Sequence, residues 1–286
     1  MPVSSLFCST GTIVGRINGF NIHLVTKILP PLVEDGIIDG AELMMLPVYY
    51  DRLSEVSGEW LSAGIPLPVI HADKDIGTLF SDAGVAFEAG DRDSADALRK
   101  EATDKFRLNC EMGAMAASRT MVLHLWGGMN SDRQIGYNAS LLPGLCEIIR
   151  PYGIRLLIEN VPSNTYDPLS NWKKLLPLPD NCALIFDTRF GQLHRQIDET
   201  WADADVAPHI EHIHVSDILG APRDFSTLRP ILHPGEGMID FDALRRILDA
   251  RRYSGTVTLE SPVIRENGAD GEKLGRTLRA LRTLLF

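Results

Sequence analysis

Short apolar runs alternate with longer amphipathic segments along the whole chain, and this alternation limits the fold more than any other feature of the sequence. The runs fall at residues 5–14, 40–46, 68–72, 120–126, 155–160, 183–187, 212–215 and 256–261, and most are rich in Val, Ile and Leu. Strands that are apolar on consecutive residues are buried on both faces, as in parallel sheets. The segments between them read as helices. Residues 93–118 carry Ala, Leu and charges at helical spacing, and residues 271–285 form a similar closing helix. Residues 240–252 open on Asp240, which can cap a helix, and continue with apolar residues at i, i+3, i+4 and i+7. Gly36, Gly64, Gly153 and Gly255 precede strands and read as helix stops. Eight strand–helix units in 286 residues predict an α/β fold, a single (β/α)8 TIM barrel over residues 1–286. A doubly wound open sheet is the competing arrangement. The glycines of residues 11–20 lack the GxGxxG spacing such a sheet usually carries.

Composition narrows the partners. Hydrophobic residues at 44% and charged residues at 23% exclude a disordered, collagen-like or disulfide-framework chain. A net charge of −10 repels phosphate backbones, so no general nucleic-acid binding is expected. Cys8, Cys110, Cys146 and Cys182 are scattered with no CxxC pair, which argues against a cysteine zinc site and fits buried thiols in a reducing compartment. With no signal-peptide pattern and no long apolar stretch, a cytoplasmic protein without a membrane partner is expected.

The ends of the predicted strands carry chemistry. His71 ends PVIH, His124 ends MVLH, Glu159 ends LLIE, Asp187 ends LIFD, His214 ends HIH and Glu260 ends VTLE. Side chains at these positions point into the C-terminal mouth of a barrel, where catalytic groups of this fold arise. A buried carboxylate is costly unless paired. The strands contribute no Lys, and Arg155 and Arg189 are the closest basic residues in sequence. A divalent metal is the economical partner for three carboxylates and three imidazoles, and the nitrogen and oxygen donors suit Zn, Mn, Co or Mg. A lone buried His or strand-end acid is usually structural; six in register are not so easily explained. Glu42 sits mid-strand, either behind the ligands or paired with an Arg lower in the barrel. His23 reads as structural.

This pattern resembles the xylose-isomerase-like TIM-barrel superfamily, which includes sugar isomerases and epimerases, inosose dehydratase and endonuclease-IV-type AP endonucleases. The resemblance covers nearly the whole chain. It is carried by Glu159 in IEN, Asp187 in FDT, His214 in HVSD, Glu260 in LESP and the segment HPGEGMIDF at 233–241. It implies Glu159, Asp187, His214 and Glu260 as ligands of one divalent metal, with Glu159 and Glu260 also the acid/base pair. It implies that His71 and His124 bind either a second metal or substrate. A third zinc site is not implied, because Phe190 stands where its His would be. The absence of that His and Ser216 in place of a common Lys point to a divergent substrate, and His194 is a candidate stand-in for the missing His. Arg189 either receives a phosphate or carboxylate or is a surface residue paired with a neighbouring acid. Trp126 either walls a sugar ring or is a core or rim residue. Asp217 is expected to orient His214 or bind substrate, and His233 to line the mouth. The expected substrate is a small carbohydrate or keto acid, and homo-oligomers are common in the family. The reading favoured is a metal-dependent isomerase or epimerase. A dinuclear hydrolase or phosphodiesterase, an inosose-dehydratase-like lyase and a non-catalytic binder are the alternatives.

Overall fold

The computed structural model describes residues 3–285. Eight parallel strands close in sequence order into a barrel. They are β1 (Ser5–Ser9), β2 (Gly40–Met44), β3 (Val69–His71), β4 (Thr120–Leu123), β5 (Arg155–Glu159), β6 (Cys182–Asp187), β7 (Ile210–Val215) and β8 (Thr256–Leu259). Pairing of Ser5 through Cys8 with Thr256 through Leu259 joins the first strand to the last. The helices α1 (His23–Glu34), α2 (Leu53–Ser62), α3 (Asp75–Glu88), α4 (Arg92–Met115), α5 (Ile135–Ile149), α6 (Pro168–Lys173), α7 (Thr188–Leu193), α8 (Ile197–Ala202), α9 (Phe241–Ala250) and α10 (Gly271–Leu285) fill the crossovers. The predicted barrel is therefore the observed one, and the open sheet is excluded by closure.

The strands are shorter than the apolar runs. The run at 5–14 leaves the sheet after Ser9 and turns through a 3-10 segment at Thr10–Thr12. His124 and Glu260 each lie one residue beyond their strand. Asp240 caps α9 by accepting the Ala243 N–H at 2.8 Å. Gly255 is not the helix stop expected of it. The left-handed residue there is Arg252, at φ +52°. Gly255 is required for space, since a Cβ would lie 2.3 Å from the Glu211 carbonyl oxygen and from the Tyr253 hydroxyl. All four cysteines are buried free thiols. His23, on α1, bonds Glu59 of α2 at 2.6 Å, as a structural residue would.

Two cores result from the period-2 alternation of the strands. Side chains facing outward pack under the helices as the main core. Phe7, Val69, Val122, Leu157, Ala183 and Ile185 form a separate cluster inside the barrel. Counting two residues on from five of these reaches Ser9, His71, His124, Glu159 and Asp187 on the same inward face. The apolar floor of the barrel thus sets the height at which the polar side chains emerge. Among the described residues no helix is long and apolar enough to cross a membrane.

Candidate metal centre and active site

Four strands deliver the central cluster. Glu159 from β5, Asp187 from β6, His214 from β7 and Glu260 after β8 each place a ligand atom within 4.8 Å of the others. Glu159, Asp187 and His214 are buried, and Glu260 is partly so. Asn160 fixes the end of β6: its amide accepts the Asp187 N–H at 2.6 Å and donates to the Asp187 carbonyl at 3.1 Å. One carboxylate oxygen of Asp187 caps α7 through the Phe190 N–H at 2.8 Å. Its other oxygen has no hydrogen-bond partner, and neither has Glu260 Oε1.

His214 is held from both sides. Its Nε2 lies 3.1 Å from Glu42 Oε2, while Nδ1 lies 2.9 Å from Glu159 Oε1 and 3.5 Å from Glu260 Oε1. Burial disfavours its charged form, but Glu260, Glu42 and Glu159 outweigh that and hold its pKa well above the ordinary range. A proton on Nδ1 therefore occupies the place from which a metal would be bound.

Behind His214 lies a layer that reading strand ends did not find. Glu42 Oε2 accepts Thr258 Oγ1–H at 2.8 Å, His214 Nε2–H at 3.1 Å and His212 Nε2–H at 3.2 Å. His212 Nδ1 meets the Thr256 hydroxyl. Because a carboxylate only accepts, His212 presents Nε2–H and takes the Thr256 proton on Nδ1. Burial keeps its pKa low, so it is neutral. Burial works against the charge of Glu42, yet His214 and His212 hold its carboxyl well below the usual range. Of the two readings of Glu42, the place behind His214 is observed, and among the described residues no ion pair with an Arg is seen. Arg155 pairs instead with Glu211 at 2.8 Å, at the opposite end of β5 from Glu159.

His71 and His124 face the other oxygen of Glu159. His71 Nδ1–H donates to the Ala72 carbonyl at 2.8 Å, which directs Nε2 toward Glu159 Oε2, 3.5 Å away. His124 Nε2 lies 2.5 Å from the same oxygen. The separation is short, but neither contact has hydrogen-bond geometry, so all three atoms lack a partner. Burial pushes the His124 pKa down to about 4, with Lys74 and His71 adding to the shift against the pull of Glu159. An acceptor nitrogen facing an acceptor oxygen in a buried site is a place for a cation.

The donor set therefore fits a divalent metal: carboxylates and imidazoles, no thiolate, several lone pairs without partners and a second carboxylate behind the histidine. Asp187 adds a pH dependence. Burial and the Glu159 and Glu260 charges, opposed by Arg189, raise its pKa from 3.8 to about 6. In the metal-free fold this shift loses stability as pH rises between those values, because ionising the buried group is unfavourable. A cation relieves that cost, and a proton competes with the cation. Metal affinity measured by chelator competition is expected to fall as pH drops through about 6. A pH-independent affinity between about pH 5 and 8 would contradict the assignment of Asp187 as ligand.

Trp126 and Asp217 do not take the functional places expected of them. Trp126 does not face a sugar: it is completely buried, with its indole N–H on the Val161 carbonyl at 3.2 Å, and offers no face to the mouth. Asp217 does not touch His214. Its oxygens accept the backbone N–H groups of Ile218, Gly235, Gly237 and Ile239 at 2.8–3.1 Å, which staples the 233–241 segment. Gly237 is needed there, because a Cβ would lie 2.3 Å from Asp217 Oδ1. His233 bonds Ser261 Oγ at 2.6 Å, beside the residue that follows Glu260. His194 accepts the Ser163 N–H at 3.2 Å through Nε2 and packs on Phe225, so it holds loops together. Arg189 is buried two residues after Asp187.

A closed (β/α)8 barrel with carboxylates and imidazoles converging at its C-terminal mouth defines the general class of the protein. The chain matches the xylose isomerase-like TIM barrel family over residues 38–284, and it belongs to that family. It is 29% identical over 126 residues to an inosose isomerase of Halalkalibacterium halodurans, a match spanning 42% of this chain and 44% of that protein. Solved structures of the same fold include the E. coli 3-keto-D-glucoside 4-epimerase YcjR, at TM-score 0.64 and 18% identity, covering 98% of this chain and 99% of that one. The IolI protein with a bound zinc atom superposes at TM-score 0.71 and 18% identity, covering 98% of both chains. A D-psicose 3-epimerase structure determined in the presence of D-fructose superposes at TM-score 0.61 and 16% identity, covering 98% and 99%. At these identities the structural likeness establishes the fold.

Proposed function

We propose that the protein is a divalent-metal-dependent isomerase or epimerase acting on a sugar or sugar acid. The observation that carries this reading is the convergence of Glu159, Asp187, His214 and Glu260 within 4.8 Å, with partnerless carboxylate oxygens on Glu159, Asp187 and Glu260. The inosose isomerase relative and the epimerases sharing the fold support it.

Glu159, Asp187, His214 and Glu260 would hold a divalent ion, which would supply Lewis-acid polarisation of a substrate carbonyl and so acidify the neighbouring C–H. Glu159 and Glu260 approach from β5 and β8, three strands apart around the barrel. One takes the α-proton to give an enediolate, and the other returns it. Return to the opposite face gives the epimer; return to the adjacent carbon gives the isomer. Asp187 and His214 complete the ligand set, and Glu42 holds His214 with Nδ1 toward the carboxylates. A lyase of the inosose-dehydratase type shares the first proton abstraction. The direct test is incorporation of solvent deuterium at the α-carbon across a panel of ketoses and keto acids with metal-loaded protein. Incorporation with at least one is expected; none with any of them would count against the reading.

A dinuclear hydrolase is the second reading, favoured by one observation. His71 Nε2 and His124 Nε2 both lie against Glu159 Oε2, so these three residues would hold a second ion. Two metal ions per chain would favour it.

A further inference from the structure

We propose that His233 is a positioning residue: by holding Ser261 it fixes the chain at Glu260 and aims that carboxylate at the metal cluster. The catalytic part of this inference rests on the isomerase or epimerase reading. Its metal-binding part rests on the cluster alone.

Three of the four clustered residues are held through their own side chains. Glu159 Oε1 lies 2.9 Å from His214 Nδ1, Asp187 accepts the Phe190 N–H at 2.8 Å, and His214 is backed by Glu42 at 3.1 Å. Glu260 is the exception. Among the described residues its carboxylate accepts no hydrogen bond, and Oε1 is buried without a partner, 3.5 Å from His214 Nδ1. The direction of that carboxylate is therefore set by its main chain. Glu260 lies one residue beyond β8, and its N–H donates to the Val215 carbonyl at 3.0 Å. Among the described residues, residues 259–263 make one side-chain hydrogen bond, between Ser261 Oγ and His233 Nδ1 at 2.6 Å.

Both ends of that bond are braced. Ser261 is fully buried and His233 is 5% exposed. Each precedes a proline, Pro262 and Pro234, which biases its backbone toward extended conformations. Asp217 grips the chain on either side of His233. Its main chain pairs with Leu232 at 2.8 and 3.1 Å, and its Oδ2 accepts the Gly235 and Gly237 N–H groups at 3.0 and 2.9 Å. The His233 N–H donates to Glu236 Oε2 at 3.1 Å, and the Glu236 N–H returns to the His233 carbonyl at 2.9 Å. Asp217 stands three residues after His214, so His233 carries the placement of the β7 ligand across to the β8 ligand. A carboxylate that moves a proton at carbon has to sit within contact distance of it, and about 1 Å of misplacement costs on the order of 100-fold. The Ser261–His233 bond restrains such drift at Glu260 without touching substrate.

The test compares the full chain with His233→Leu, Ser261→Ala, the double variant and His233→Asn. Zinc affinity is read by chelator competition. Solvent-deuterium exchange is read at saturating zinc with D-fructose, D-ribulose or hydroxypyruvate, whichever exchanges fastest. Each single variant is expected to weaken zinc binding about tenfold and to slow exchange about tenfold or more, with KM changed by less than about threefold. The double variant is expected to lose no more than the worse single one, because both changes remove the same bond. His233→Asn offers an amide near the place of Nδ1 and is expected to recover most of both losses. Melting of the metal-free proteins shows which variants are folded. Ser261→Ala removes a single oxygen and keeps the bond testable if His233→Leu fails to fold. Affinity and exchange unchanged in folded single variants, or losses that add in the double variant, overturn the positioning role. Failure of the isomerase reading looks different. Coupled loss of zinc affinity in a protein whose unaltered form exchanges no probe supports the positioning role and sinks the isomerase. Exchange by the unaltered protein with all variants unchanged sinks only the positioning role.

Discussion

Glu159→Gln and Glu260→Gln should each abolish α-proton exchange, a fall of about 10²–10⁴-fold at saturating metal. Glutamine keeps the size of the side chain and most of its hydrogen bonds, but its amide cannot take a proton at neutral pH. The two positions are not equivalent. Glu159 is buried among His71, His124 and His214, whereas Glu260 keeps some exposure. Metal content measured on the same variants separates a lost base from a lost ligand. Exchange retained in both would remove the acid/base assignment. Exchange retained in only one would mean that a single glutamate both takes and returns the proton.

The second large effect is expected at a residue the strand-end pattern left undecided. Glu42→Gln should weaken metal binding by about 10–100-fold, as read by chelator competition. Glu42 accepts the His214 Nε2–H and so keeps the other ring nitrogen directed at Glu159 and Glu260. It also contributes a buried negative charge behind the ligand. The amide oxygen of the variant can still accept the bonds made to Oε2, but the charge is gone and the NH2 group replaces Oε1, buried without a partner. Glu42→Asp keeps the charge and retracts it by one methylene, so a partial recovery is expected. Affinity unchanged in Glu42→Gln would show that the histidine needs no support from below.

The barrel was legible because strands buried on both faces leave continuous apolar runs, and because a side chain at the end of such a run emerges at the mouth. That logic brought Glu159, Asp187, His214 and Glu260 together, along with His71 and His124. It stopped where direction or closure matters. Trp126 and Asp217 lie two and three residues past strand-end histidines, but the chain has left the strand there. Nearness in sequence no longer says where a side chain points. The contact between Glu42 and His214 spans 172 positions and exists only because β8 pairs with β1. A signal for His212 was present: it lies two residues before His214 and so shares its inward face. Reading only the strand ends passed over it. Arg189 needed the structure most, since a buried arginine and a surface one look alike in sequence.

The most direct test of the central claim is metal content per chain, by elemental analysis of untagged protein purified without chelator. The account predicts about one divalent ion per chain, lost on Asp187→Ala or His214→Ala. Two ions would move the assignment to the dinuclear reading around Glu159. No ion, even after addition of Mn, Zn, Mg or Co, would contradict the metal centre on which the proposed chemistry depends.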